Sequence, residues 1–348
     1  MALKAYGVLI GRAVDSRREG AAATPHYQIH VTDEAGTDYR IAVNVMSQQS
    51  PSELLYVVED DFTHPILTLL PTAAAGWTLL PRSPGGPNLD FIRGNLFQRS
   101  DLRLLPPDLS GPDNDLADLL DRYIQRAIGD ADARLYVFGE RWPTEATLKD
   151  KVFGFLPGNG VHDIHMNQGN SGTFRRDDGV WQDGGLLLHY PAQSRWVGIF
   201  LAFQSQTWHT DDLTGHPIGG SEPPTPPGGP GNAAGSTTRI IGALVNPVGP
   251  APEPETVTLI NASPAPVDLT GWRIADRMKA SCPVLPAGPT RPVVALGPGQ
   301  TLVVPMSDGV QLGNGGGTIT LLDAAGLKAH GVAYTSGQAS REGWTIVF

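Results

Sequence analysis

Histidine, aspartate and carboxamide side chains gather in one glycine-flanked stretch, Gly158-Asn159-Gly160-Val161-His162-Asp163-Ile164-His165-Met166-Asn167-Gln168-Gly169-Asn170-Ser171-Gly172. Imidazole exchanges protons near neutral pH, and carboxylate and amide oxygens are ligands for hard divalent ions. If the middle of the stretch is extended, the period of two puts Ile164 and Met166 on one face and Asp163, His165 and Asn167 on the other. His162 and His165 are three apart, a spacing that on a helix would face one metal. The glycines on both sides argue against a helix, and on a strand the two rings point to opposite faces. His165 is therefore the expected general base, with Asp163, Asn167 and Asn170 as expected ligands of a divalent metal ion. A hydrogen-bonded turn with satisfied histidines accounts for the same residues without chemistry.

A second polar group stands at strand ends. Leu186-Leu187-Leu188-His189-Tyr190 closes on His189, and the run from Trp196 begins apolar and finishes in Gln204 and Gln206 on one face. Sheets often present ligands at such ends. The expectation is that His165, His189, Gln204 and Gln206 meet in one solvent-reachable hollow. His209, Asp211 and Asp212 read as a solvated exit loop, and His26, His30 and His216 as surface or structural histidines.

This inventory points to a metal-assisted hydrolase acting on a phosphodiester, a phosphodiesterase or nuclease. The ion would neutralise charge on the phosphate while His165 takes the proton of water. A non-enzymatic ligand-binding or scaffold protein is the alternative, with the same amides and histidines recognising a polar ligand. No phosphate-binding Gly-x-x-x-x-Gly-Lys loop, Gly-x-Ser-x-Gly elbow or His-Glu-x-x-His helix occurs.

These groups need elements to hold them. Tyr27, Ile29 and Val31 alternate with His26, Gln28 and His30, and after the turn-like stretch 33–38 Tyr39, Ile41, Val43 and Val45 alternate with Arg40, Ala42, Asn44 and Met46. That pattern predicts an antiparallel hairpin with one buried face. Leu116, Leu119, Leu120, Tyr123, Ile124 and Ala127 recur at helical spacing behind a Pro112-Asp113-Asn114 start signal and ahead of Gly129, which predicts an amphipathic helix. Residues 135–138, 186–190 and 196–206 read as strands, 144–153 as a short helix, and 62–107 as short strands and loops broken by prolines and glycines.

At 348 residues, with 42 glycines and 31 prolines, the chain suits two domains with many turns. Its formal charge of −10 belongs mostly to residues 1–217, which hold 18 basic against 27 acidic side chains. Such a balance does not support a broad nucleic-acid-binding surface, although a local basic groove is compatible with it. One cysteine, Cys282, rules out an intrachain disulfide and a cysteine-pair metal site. The absence of a signal-like start and of any apolar run long enough to span a bilayer gives the expectation of a cytoplasmic protein with no membrane contact. The stretch 218–237, rich in Pro-Pro, Gly-Gly and Ala-Gly, reads as a linker. Beyond it, short β-type segments at 257–261, 272–275, 301–304, 318–322 and 330–334 are punctuated by turn signals. The fold class expected is α+β, a β-rich mixed N-terminal domain over 1–217, followed by an all-β immunoglobulin-like sandwich over 238–348.

Two resemblances sharpen this outline. From about Arg239 onward the chain resembles the lamin-tail domain, through Glu255-Thr256-Val257-Thr258-Leu259-Ile260-Asn261, Asp268-Leu269-Thr270-Gly271-Trp272, Leu296-Gly297-Pro298-Gly299, Leu312-Gly313-Asn314-Gly315-Gly316 and Leu321-Leu322-Asp323-Ala324-Ala325-Gly326. That resemblance implies a sandwich with Trp272 in the inter-sheet core and a turn at Asp323 to Gly326, serving as a stable appendage or as an adaptor for a protein partner. Residues from about Ala2 to Pro217 resemble the YukJ-like bacterial family, a domain of unknown function. The carrying pieces are Tyr6-Gly7-Val8-Leu9, Pro25-His26-Tyr27-Gln28-Ile29, Ala42-Val43-Asn44-Val45, the string His162 to Asn170, and Ala202-Phe203-Gln204-Ser205-Gln206-Thr207-Trp208. It implies a domain boundary and no reaction.

Overall fold

A computed structural model describes residues 6–19, 26–45, 54–70, 76–80, 94–98, 101–106, 109–142, 146–163, 184–203, 237–249, 254–285, 295–326 and 328–348. The chain forms two units: Met1–Thr63, Leu70–Pro81 and Asp101–Pro224 make the first, and His64–Leu69, Arg82–Ser100 and Thr225–Phe348 the second.

The described part of the first unit is β-rich, with strands β1 (Tyr6–Glu19), β2 (His26–Thr32), β3 (Asp38–Asn44), β4 (Leu54–Glu59), β5 (Gly76–Leu79) and β6 (Arg103–Leu104), helix α1 (Leu116–Gly129), and strands β7 (Arg134–Arg141), β8 (Gly160–His162), β9 (Gly184–Tyr190) and β10 (Arg195–Phe203). Hydrogen bonding joins the strands in the order β5-β1-β2-β3-β8-β7-β9-β10-β4-β6, and β1 also pairs with β7. That extra pairing closes β1, β2, β3, β8 and β7 into a ring. Within it β3 and β8 run parallel and the other neighbours antiparallel. β1 serves three partners: residues 6–11 pair with β7, residues 7–10 also with β5, and residues 12–19 with β2, with a register shift between Ala13 and Asp15. An extra residue of this kind bends a strand and strengthens its twist.

The hairpin forms as its alternation requires. Tyr27, Ile29, Val31, Tyr39, Ile41 and Val43 share one buried core with Leu135, Val137 and Val161. Helix α1 adds Leu116, Leu120 and Ile124 to that core. It starts where Asp115 accepts the Asp118 N–H at 2.7 Å, a cap on one of the four N–H groups that a helix start leaves unpaired. The Tyr27 hydroxyl donates to Asp121 at 2.6 Å and Arg18 pairs with Asp118, so the helix is tied to β1 and β2. The helix expected over 144–153 does not form in its described part. Residues 146–155 are turns in which the Asp150 carboxylate accepts the N–H groups of Val152 and Phe153 at 2.9 and 2.8 Å, a local competition with helix that aspartate often wins.

The described part of the second unit has two four-stranded sheets. One joins β11 (Thr238–Leu244), β12 (Thr256–Asn261), β17 (Thr301–Pro305) and β20 (Thr345–Val347); the other joins β14 (Arg273–Ala275), β15 (Ser281–Pro283), β18 (Gly316–Leu322) and β19 (Lys328–Thr335). A further pair links β13 (Val267–Asp268) with β16 (Ala295–Leu296), and a short helix α2 covers Ser336–Ala339. Val257, Leu259, Ile274, Cys282, Ile319 and Tyr334 are buried between the sheets. Trp272, expected in the inter-sheet core, is only partly buried and packs against it. The expected turn is present, with the Gly326 N–H donating to the Asp323 carbonyl at 3.0 Å.

This unit also takes in chain from far upstream of β11. The Asn95 amide donates to the Ile319 carbonyl at 3.1 Å and to the Thr320 hydroxyl at 3.0 Å, over Gly331, where a Cβ would collide with it. The linker expected at 218–237 lies outside the described residues except for Thr237. No described helix is long and apolar enough to cross a membrane.

Candidate functional site

On the outward face of the ring the register aligns one cross-strand row: Gln28 of β2 faces Ala42 of β3, Ala42 faces His162 of β8, and His162 faces Glu140 of β7. β2 and β8 stand two strand spacings apart, about 10 Å, and the residue between them is alanine. A hollow of about 230 Å³ opens over this small side chain, lined by His26, Gln28, Arg40, Ala42, Trp142, Lys151 and His162. The next row is His30–Arg40–Gly160, of which Arg40 lines the hollow. Gly160 is required there, because a Cβ would fall inside the Trp142 ring. The indole also takes the Arg40 guanidinium at 4.7 Å from its centroid and the His162 ring at 4.8 Å.

The charges of the site are tied down from behind. Arg40 is 8 % exposed, and its Nε donates to Asp150 at 2.6 Å and its Nη1 to Gln28 at 2.9 Å. Gln28, fully buried, donates to Glu19 at 2.6 Å, and Lys151 donates to the other oxygen of Glu19 at 3.3 Å. Burial pushes the Asp150 carboxyl upward, but the Phe153 N–H, Arg40 and the Val152 N–H outweigh it and hold the group below its ordinary range. Glu19 follows the same logic: burial raises it, and Lys151, Gln28 and His26 together bring it down. Both carboxylates are thus ionised near neutral pH, with their oxygens engaged by these donors. Arg40 Nη2, by contrast, makes no bond among the described residues, and the Lys151 ammonium, 64 % exposed, spends one of its three protons. Beside the imidazoles of His26 and His162, what the hollow has left to offer a ligand is positive hydrogen-bond donors.

Residues 1–215 match the family described as "Uncharacterized conserved protein (DUF2278)". The chain belongs to that family. A curated relative of the DUF2278 region, "Uncharacterized protein YukJ" of Bacillus subtilis (strain 168), is 42 % identical over 220 residues, which cover 63 % of this chain and 96 % of the relative. Residues 233–336 match the Lamin Tail Domain. No solved structure matches the chain. Both resemblances read from the sequence are therefore shown.

Within the DUF2278 region the expected cluster is only partly described: His165, Asn167, Asn170, Gln204 and Gln206 lie outside the described residues, as do His209, Asp211, Asp212 and His216. The two that are described are not brought together. Asp163 is fully buried and accepts the backbone N–H of Gly185 at 3.1 Å. Burial drives its carboxyl well above the ordinary range, against the smaller pull of the Gly185 bond. The neutral form is therefore the favoured one in the absence of a cation. His189 sits four residues along β9 from Gly185, about 13 Å away, stacked on Trp196 at 4.0 Å and 10°. Burial and then Arg134 lower its pKa. Among the described residues no group of three His, Cys, Asp or Glu side chains is gathered as a metal ion would need. The hollow instead uses His162, where the sequence favours His165, and His26, to which the sequence gives a surface or structural role. A signal for it existed in the outward row of the hairpin, His26, Gln28 and Arg40. Trp142 and Lys151 carried none, since the turns after β7 bring them over β2 and β3.

Proposed function

We propose that the DUF2278 region is a ligand-binding barrel whose hollow holds an anionic, acceptor-rich group such as a phosphate ester. One observation carries this reading: the carboxylates beside the hollow are spent on internal donors, whereas Arg40 Nη2 and the Lys151 ammonium are not. Arg40 is also pre-oriented, held by Asp150, Gln28 and the Trp142 ring, so little freedom is lost when it meets an anion. The set suits an anion better than a cation. A cytoplasmic setting belongs to the same reading, supported by the single buried cysteine. The sandwich as holder of a protein partner also belongs to it, supported by the outward row Val303–Thr258–Gly242–Val347, whose end valines are 57 % and 78 % exposed.

Calorimetric titration of the full chain with inorganic phosphate and with AMP tests it. Binding is expected for both, weakened about three- to tenfold in Lys151→Gln and more in Arg40→Lys, which keeps the ion pair with Asp150 but loses the fork. Absence of binding at millimolar ligand in the wild type, or full affinity in both variants, would falsify it.

A phosphodiesterase is the second reading, favoured by two imidazoles, His26 and His162, lining the same hollow. One would take the proton from an attacking water or ribose 2′-hydroxyl, the other would give a proton to the oxygen that leaves as the P–O bond breaks, and Arg40 would balance the charge on phosphorus oxygens. Turnover of RNA or a generic phosphodiester that is lost in His162→Gln while phosphate still binds supports it; binding without turnover in the wild type leaves the binding role alone.

A further inference from the structure

The ring is built in the order β1-β2-β3-β8-β7, with α1 entering between β3 and β7 and β3 parallel to β8. That connectivity is the five-stranded Greek-key barrel that in unrelated proteins receives oligonucleotides or oligosaccharides over its second and third strands and the loop joining the last two. Here the hollow lies over β2 and β3, and the segment between β7 and β8 supplies Trp142 and Lys151. Connectivity alone does not choose a ligand; the side chains do.

Next to the hollow, two residues from Gln28 on the same outward side of β2, stands His30. Its ring stacks with Phe153 at 5.1 Å and 25° and with Phe155 at 5.1 Å and 17°, and Arg17 covers Phe153 at 5.0 Å. Both phenylalanines are half-buried. An aromatic ladder, built from His30 of β2 and two rings of the turns after β7, therefore stands directly beside an anion-ready hollow. We propose that this outer face of β2 and β3 binds single-stranded nucleic acid, with a backbone phosphate in the hollow and a base against the Phe155 end of the ladder. The proposal rests on reading the hollow as an anion site.

Three observations favour this ligand. Unpaired bases expose the π-faces that such a ladder takes, and paired ones do not. A neutral oligosaccharide presents hydroxyls that seek acceptors as well as donors, and the carboxylates nearest the hollow and the ladder, Glu19, Asp150 and Asp38, are engaged, the last by His30 and Thr32. A duplex needs a broad basic surface, which a chain of charge −10 does not support, whereas one strand needs only a local cationic groove.

Fluorescence polarisation of the full chain with labelled mixed-sequence 12-mers of single-stranded DNA and RNA in low salt tests the proposal. Inorganic phosphate, duplex DNA, a neutral hexasaccharide and a sulfated hexasaccharide serve as competitors. Both strands are expected to bind more tightly than phosphate, with Lys151→Gln lowering the salt slope by about one. Phe155→Leu, which keeps apolar bulk but loses the ring, is expected to weaken the strand about tenfold and leave phosphate binding unchanged. Arg17→Gln, on an exposed side chain, repeats the test at the other end of the ladder. If phosphate binds but the strand gains nothing over it and Phe155→Leu is silent, the strand proposal falls and the hollow stands. If neither phosphate nor strand binds, both fall; tighter binding of duplex or of either sugar overturns the strand in favour of that ligand.

Discussion

Arg40 is a buried cation that escapes the usual penalty because three partners share its charge: Asp150, Gln28 and the Trp142 face. Removing one member of such a set leaves the rest uncompensated, so the arginine is as much a structural centre as a binding group. Gly160 has the complementary role of making room. Gly160→Ala is expected to displace Trp142, to lower stability by about 1–3 kcal/mol through overpacking and to abolish phosphate binding. Gly129→Ala, at a position with open space around the added methyl, is expected to be neutral or slightly stabilising. Thermal melts and phosphate titrations of the two variants check this, and equal melting temperatures with unchanged phosphate affinity would refute it.

Among the elements, β7 shows how a short strand is joined to a long one. One edge of β7 pairs with β9 over residues 134–138 and then with β8 at 140 and 141. Asp163, just past β8, accepts the Gly185 N–H near the start of β9 and so fastens the handover. Because burial raises its folded-state pKa, the neutral acid is preferred, and stability present at low pH is lost as pH rises from the unfolded value toward the folded one. Asp163→Asn keeps an acceptor without the ionisation, so its advantage over wild type is expected to grow between pH 4 and pH 8. Asp163→Ala is expected to cost about 1–3 kcal/mol at pH 4, by leaving a buried N–H unmet, and less at pH 8, where the wild type has lost the stability tied to its neutral carboxyl. Denaturant midpoints at the two pH values decide the matter. A pH-independent difference for Asp163→Asn would mean that the carboxyl does not titrate as inferred. At this scale the sequence was readable where a pattern is local: β2, β3 and α1 each follow from their own periodicity. The β8–β9 junction was not, since it depends on residues 22 apart meeting on a third strand.

For the molecule as a whole, acid should act first on the second unit. His64 caps the 3₁₀ turn Pro65–Thr68 by accepting the Ile66 N–H through Nδ1, and His330 accepts the Ile240 N–H in the same way. Both bonds need an unprotonated Nδ1, and burial, the leading cause in each, lowers both pKa values to about 4. The unfolded chain takes these protons near pH 6.5 and the folded unit does not, so stability is complete above that pH and falls between 6.5 and 4. The loss approaches roughly 3 kcal/mol per histidine. Calorimetry from pH 7.5 to 4.5 should show the second unit's transition moving down, with a shallower slope in His64→Asn, which retains a capping acceptor. An unchanged slope in that variant would remove His64 from the account. His64 also shows that sequence continuity is a poor guide to the units: it and Asn95 precede α1 in the chain, yet their bonds are made within the sandwich unit.

By itself the sequence determined what nearest neighbours along the chain can specify. Alternation fixed the hairpin and its buried face, helical spacing behind the Pro112-Asp113-Asn114 start signal fixed α1, turn residues marked the sandwich strands, and ordered motifs carried both families. Those signals repeat every two or every 3.6 residues and survive without knowledge of what lies opposite. Tertiary structure alone decided which polar groups share a space. The pairing of β1 with β7 closes the ring, the parallel contact of β3 with β8 brings His162 beside Ala42, and the turns of 146–158 lay Lys151 and Asp150 over residues more than a hundred positions earlier. Such meetings depend on register and closure, which are set by the whole sheet and leave no periodic trace in any one segment.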